Sequence, residues 1–362
     1  MRRLLLLSAA LAAAMAARAA VDSPHLFDGN EPAPGAAPLV LSGAAPDIGP
    51  AGPVGTPVPA DLAAAGLRLG NRVQLARLAA TPRADGPVAF AVIGDAEPGR
   101  FFWERWFNHD RHAFEKALAR ARARNPEFVV QLGDYVSRGI AENFRKGVSF
   151  LDQHPGGPIL HVQGNHDRSE PNGPADKNLF RAVFGPGDYY VDRGGWRFIV
   201  LDSADYEVTD AQLDWLDKVL TTDGPSIVFT HIPPIYLDGK IKSQGPRQKE
   251  IDVQAAKDWS DAGMHAEFLS AFFDSGAARF REIVDRHRVA RVYMGHIHAF
   301  GTATVDGVRY VLSGCGGSPH YPLPPWYPTR KKDHYIMVTA GPGHSVTETV
   351  HELDGTTFPI AW

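Results

Sequence analysis

The sequence predicts an α/β fold, and three observations carry that prediction. From about Pro87 onward, short apolar runs alternate with stretches of helical periodicity. Five of those runs stop at an Asp, Asn or His flanked by Gly or Thr. The composition, 44% hydrophobic and 22% charged over 362 residues, supplies ample apolar material for a core. A wholly disordered chain, a collagen and a coiled coil are excluded.

Residues 1–19 read as a signal peptide. Met1-Arg2-Arg3 is a basic start, Leu4 to Ala17 are all apolar or small, and Ala17-Arg18-Ala19 offers the small residues a signal peptidase reads. The run is shorter than the ~20 residues that span a bilayer, so cleavage and export to the periplasm or medium are expected. No cysteine follows the run, so no lipid anchor is expected. Residues 20–87 read as a Pro/Gly/Ala-rich extension or linker. From Asp28 to Ala60, 14 of 33 residues are Pro or Gly, which predicts no packed core there.

The elements then follow in order. Val88–Ile93 is a strand ending at Gly94-Asp95. Ala113, Phe114, Ala117, Leu118 and Ala121 lie at helical spacing, stopped by Asn125-Pro126. Phe128–Leu132 ends at Gly133-Asp134, and a helix through Phe144, Val148 and Leu151 follows. Ile159–Val162 ends at Gly164-Asn165-His166-Asp167. Tyr189–Val191 and Trp196–Leu201 read as a hairpin, and Thr209-x-x-Gln212 as a capping box before Leu213, Leu216 and Leu220. Ile227–Thr230 ends at His231, and Val292–Met294 at Gly295-His296-Ile297-His298. Tyr310–Leu312, Tyr335–Val338 and Val346–Val350 read as closing strands.

Polar residues at the carboxyl ends of strands converge on the edge where α/β sheets bind ligands. The net charge of −4 argues against a protein specialised for nucleic-acid backbones. The single cysteine, Cys315, excludes intrachain disulfides and thiolate metal clusters. Fifteen histidines leave imidazole and oxygen as the ligands for any metal chemistry.

In this order the motifs resemble those of the calcineurin-like metallophosphoesterases. Gly94-Asp95-Ala96-Glu97 stands where that family has Gly-Asp-x-His, and Gly133-Asp134-Tyr135-Val136-Ser137-Arg138-Gly139 is close to its second block. Gly164-Asn165-His166-Asp167, Thr230-His231 and Gly295-His296-Ile297-His298 are similar to the remaining three. The resemblance implies a catalytic domain over 88–362, built as a four-layer αββα sandwich of two facing mixed sheets flanked by helices. It also implies two divalent ions, Mn, Fe, Zn, Co, Ni or Mg. Asp134 would bridge them, with Asp95, Glu97 and His298 around one and Asn165, His231 and His296 around the other. Two cations ~3.5–4 Å apart acidify a bridging water and clamp an in-line displacement at phosphorus. His166 would assist the leaving group, and Arg138 and Arg168 would hold phosphoryl oxygens.

The chain departs from the family's pattern twice. Glu97 replaces a histidine, which lowers the formal charge of the site and favours harder ions such as Mn or Fe. Ser137 stands where related protein phosphatases carry the aspartate that orients the catalytic histidine; Asp167 is a substitute to test. Ser137 also occupies the position of the purple acid phosphatases' tyrosine.

Other features are less specific. Phe101-Phe102-Trp103-x-x-Trp106-Phe107 could wall a pocket, His109 and His112 read as surface residues, and the 64 residues between His231 and His296 could form a lid. His320 follows a Gly-rich segment and could reach a substrate. The expectation is an exported phosphoesterase acting on a small phosphorylated substrate, with no specific nucleic-acid partner and no membrane anchor after cleavage. The alternative is a metal- or phosphate-binding protein of the same fold without turnover, supported by Glu97 and Ser137.

Overall fold

The computed structural model describes residues 55–83, 86–96, 112–173, 175–261 and 271–362. Within them, the apolar runs become strands of two six-stranded mixed sheets. In the first sheet β1 (Val88–Ile93), β2 (Phe128–Gln131) and β3 (Ile159–His161) are parallel. Beside β1, β10 (His334–Ala340), β11 (Val346–Glu352) and β12 (Thr357–Pro359) add on antiparallel. The second sheet holds β5 (Trp196–Val200), β6 (Ser226–Phe229), β7 (Arg291–Met294) and β9 (Val308–Ser313) in parallel. Its edges are β4 (Tyr189–Arg193) and β8 (Phe300–Val305), both antiparallel.

Side-chain alternation assigns each strand two jobs. In β1, Phe90 and Val92 point between the sheets, while Ala91 and Ile93 point outward under helices. The inter-sheet layer is aromatic at its centre. Phe90 stacks on Phe128 at 5.2 Å, and Phe198 meets both rings edge-on. A buried ion pair crosses the layer. Arg291 of β7 donates to Glu348 of β11 at 2.5 Å, and the Tyr293 hydroxyl donates to the same carboxylate at 3.0 Å. Losing either partner would strand a buried charge, at a cost of about 3–5 kcal/mol.

Helices complete the outer layers. The first sheet is covered by α1 (Ala60–Leu69), α3 (Ala113–Arg122), α4 (Ala141–Gln153) and α5 (Asn178–Phe184). The second is covered by α6 (Asp210–Val219) and α8 (Ala277–Arg286). The expected capping box is present at α6: Thr209 Oγ1 accepts from Gln212 N, and Gln212 Oε1 accepts from Thr209 N. Helix, sheet, sheet and helix form the four-layer α/β sandwich expected from the motifs.

The segment read as an extension contains structure that the Pro/Gly count concealed. Besides α1, it holds α2 (Asn71–Ala80), whose Leu75 and Leu78 are buried in the inter-sheet core. Asn71 explains the position of α2. Its side-chain amide donates to the His161 carbonyl at 3.0 Å, and its oxygen accepts the His161 N–H at 2.8 Å. The side chain thus takes the place of a neighbouring strand on the open edge of β3. The weak amphipathic contrast of α2 makes its periodicity faint in the sequence, and α1 begins where the Pro- and Gly-rich stretch ends. Between β6 and β7 lies a further helix not foreseen, α7 (Gln248–Asp261), whose single buried residue is Ala255. Among the described residues no helix is long and apolar enough to cross a membrane.

Candidate metal centre

Five strand ends deliver polar residues to one place. Asp134 follows β2 in the left-handed region (φ 51°), and His296 follows β7 in the same region (φ 69°). Such conformations are costly for side-chain-bearing residues and persist where the surroundings over-determine them. Here they turn a carboxylate and an imidazole into the cleft. Gly164 permits the close approach of the third loop. A Cβ there would lie 2.2 Å from both Asp134 N and Asp134 Oδ1.

The donor set is tight and buried. One ligand atom from each of Asp134, His231 and His296 lies within 4.8 Å of the others. Asn165 Oδ1 sits among them, 3.1 Å from His231 Nε2 and 2.9 Å from His296 Nδ1. Asp134 Oδ2 is 3.2 Å from His231 Nε2, while Oδ1 accepts the backbone N–H of His166 at 2.8 Å. Asp95, fully buried, accepts the His296 backbone N–H at 2.9 Å and lies 3.4 Å from His231 Nδ1.

The tautomer of His231 decides what this geometry needs. Its Nδ1 faces the Leu132 carbonyl at 2.8 Å, and a carbonyl can only accept. A neutral ring therefore turns a lone pair at Nε2 toward the oxygens of Asn165 and Asp134. Three acceptors converging on one point require positive charge between them. Without an ion, the ring itself supplies it. Burial opposes that charge, yet Asp134 and Asp95 push the His231 pKa up to about 9. Burial also works against ionised Asp134, but His231 and His166 hold its carboxyl well below the usual range. His296 and His298, pushed down by burial to about 3 and about 4, stay neutral as metal ligands must. His298 is fixed like His231, its Nδ1 held by the Pro319 carbonyl at 2.7 Å. The set suits a divalent ion of intermediate hardness.

Of the residues singled out in the sequence, Asp134, Asn165, His231 and His296 come together, with Asp95 behind them. His298 is buried in the same loop but is not one of the residues within 4.8 Å. Glu97, Phe101 to Phe107 and His109 lie outside the described residues. The position of His166 has an unforeseen cause. Its Nδ1 is held at 2.9 Å by the backbone carbonyl of Ser137, so neither the serine hydroxyl nor Asp167 orients it. Asp167 instead accepts Val136 N at 3.0 Å and Gly164 N at 2.9 Å, tying the second loop to the third. Burial and the charge of Asp134 push its carboxyl up to about 7.

The two arginines are occupied. Arg138 donates to the Ser169 carbonyl at 3.1 Å and pairs with Glu170. Arg168, 2% exposed, donates to Asp205 and to the Pro171 carbonyl, each at 2.7 Å. It fastens loops, and these partners occupy the guanidinium expected to hold phosphoryl oxygens. His320 pairs with Asp333 at 3.0 Å. Sequence reasoning missed Tyr206, whose ring stands 5.5 Å from that of His296. A signal was available, since the run Trp196–Leu201 also stops at polar residues, Asp202-Ser203.

A two-sheet α/β sandwich with carboxylate, amide and imidazole groups at its parallel strand ends defines a metallophosphoesterase scaffold. The chain belongs to the calcineurin-like phosphoesterase family, whose model matches residues 88–300. No curated protein matches it. Among solved structures it is similar to a purple acid phosphatase from yellow lupin (Lupinus luteus) seeds, with 14% identity and a TM-score of 0.52. That match covers 78% of this chain and 55% of the lupin chain, so this chain spans about half the length of that relative. It is also similar to GAP50 of Plasmodium, described as an anchor in the inner membrane complex. The identity is 12% and the TM-score 0.45, over 76% of this chain and 89% of that one. The likeness to the lupin enzyme concerns the fold alone.

Proposed function

We propose that this protein is an exported, metal-dependent phosphoric ester hydrolase acting on small phosphate mono- or diesters. The observation that supports the reading most is the convergence of Asn165 Oδ1, Asp134 Oδ2 and His231 Nε2, with Nδ1 of His231 facing a carbonyl. Asp134, Asn165, His231 and His296 would hold one ion. Asp95, Glu97 and His298 would complete the shell of a second, with Asp134 shared. Such ions supply an acidified water as nucleophile and neutralise charge on the phosphoryl oxygens.

The chain's own residues supply the rest. The Leu132 and Pro319 carbonyls keep His231 and His298 in the tautomer that presents Nε2 as a ligand. The Ser137 carbonyl keeps a proton on His166 Nδ1, so Nε2 is the nitrogen that would protonate the leaving oxygen. Arg138 would reach a phosphoryl oxygen only by releasing Glu170. Export rests on the basic start and apolar run of residues 1–19.

The test is release of p-nitrophenol from mono- and bis-p-nitrophenyl phosphate, with Mn, Fe, Zn or Mg added and the chelated protein as control. The reading predicts metal-dependent turnover of at least one ester. Absence of turnover on both, with each ion, would contradict it.

A further inference from the structure

Tyr206 is bulky and yet holds a left-handed backbone, with φ at 61°. An aromatic residue there is an outlier with a cost, and something must hold it. The clamp is a chain of charges that the site chemistry does not use. Arg168 donates to Asp205 Oδ1 at 2.7 Å, and Lys177 reaches Asp205 Oδ2 at 2.7 Å and Asp202 Oδ2 at 2.6 Å. The residue just before Tyr206 is thereby fastened from two sides. The Arg168 guanidinium also lies over the Tyr206 ring, 5.9 Å from its centroid. Arg168 is in turn three residues from Asn165, so the clamp registers Tyr206 directly against the donor set.

The result of this strain is specific. The ring meets His296 edge-on at 5.5 Å, and the residue is half-buried. Its backbone N–H is spent on the Ser203 carbonyl at 3.0 Å, whereas the phenolic hydroxyl has no hydrogen-bond partner among the described residues. A ring needed only for packing would be served by phenylalanine, and a turn needing left-handed backbone by glycine or asparagine. The tyrosine brings a hydroxyl donor beside a donor set built of acceptors, Asp134, Asn165 and His296.

We propose that Tyr206 is a substrate-recognising residue, whose hydroxyl donates a hydrogen bond to a non-bridging oxygen of the bound phosphoryl group. It does the work that the occupied guanidinium of Arg168 cannot do, and Arg168 serves by holding it in place. This deepens the phosphoesterase reading and rests on it.

The test is calorimetric titration of inorganic phosphate into the full-length, Mn-loaded protein, wild type and Tyr206→Phe, with melting temperatures and ester kinetics measured alongside. The phenylalanine variant should keep its melting temperature and bind phosphate about tenfold or more weakly, as loss of one hydrogen bond to a charged group implies. Its KM should rise with kcat within about twofold, since the contact exists before and during reaction. Equal phosphate affinity in both proteins overturns the role of Tyr206 and leaves the phosphoesterase reading standing. A wild type that binds no phosphate overturns both.

Discussion

Asn165 Oδ1 stands 2.9 Å from Nδ1 of His296, across 131 positions of sequence and from one sheet to the other. The third strand of the first sheet carries the amide, and β7 of the second carries the imidazole. Asn165 Nδ2 turns to the nearby Pro171 carbonyl at 3.4 Å, which leaves Oδ1 to reach across to the other sheet. The contact therefore exists because the two sheets face each other with their parallel strand ends at a common edge, where α/β folds place ligands.

The orientation of His166 by a carbonyl leads to a first prediction. Ser137→Ala should leave the rate on p-nitrophenyl phosphate within about twofold, because the backbone oxygen that holds Nδ1 remains. His166→Ala should lower kcat by about 10²–10⁴, the usual worth of a general acid, with unchanged metal content. A large loss in Ser137→Ala would show that the hydroxyl orients the ring after all.

A second prediction concerns the segment before Pro87. Leu75 is fully buried in the layer between the sheets and belongs to the same apolar cluster as Phe90 and Phe128. Leu75→Ala should cost about 2–5 kcal/mol in urea unfolding, the range for a large-to-small core substitution. A change below about 0.5 kcal/mol, normal for surface positions, would separate α2 from the folding unit.

A third prediction is a pH slope. His161 is buried, stacked 3.9 Å from the Phe184 ring, and its Nδ1 has no partner among the described residues. Burial pushes its pKa down to about 3. The unfolded chain thus binds a proton from about pH 6.5 downward while the folded one does not. This contribution is complete above pH 6.5 and is lost as pH falls toward 3, at up to ~1.4 kcal/mol per pH unit. His161→Phe should flatten the dependence of unfolding free energy between pH 6.5 and 5 relative to wild type. Identical slopes would mean that His161 does not titrate between the two states.

Much of this was legible in sequence because it is local. Asp95, Asp134, Asn165, His231 and His296 each end an apolar run beside a Gly or Thr, and a strand's end is a one-dimensional signal. The capping box at Thr209 and Gln212 is equally local. What was not legible depends on partners far along the chain. Arg168 beside Asn165 looks free to bind phosphate until Asp205 is seen to claim it. Asp167 next to His166 looks like its orienter, yet its carboxylate turns back to Val136 and Gly164. The Asn71 side chain pairs with His161 some ninety residues on, and no composition count of a Pro- and Gly-rich segment could reveal that.

The most direct test is elemental analysis of the full-length protein after loading with Mn and exhaustive dialysis, for wild type and Asp134→Asn. A cradle of converging acceptors predicts retained Mn in the wild type and its loss in the variant. A wild type that retains no ion under any loading condition, or equal retention in both proteins, would contradict the account.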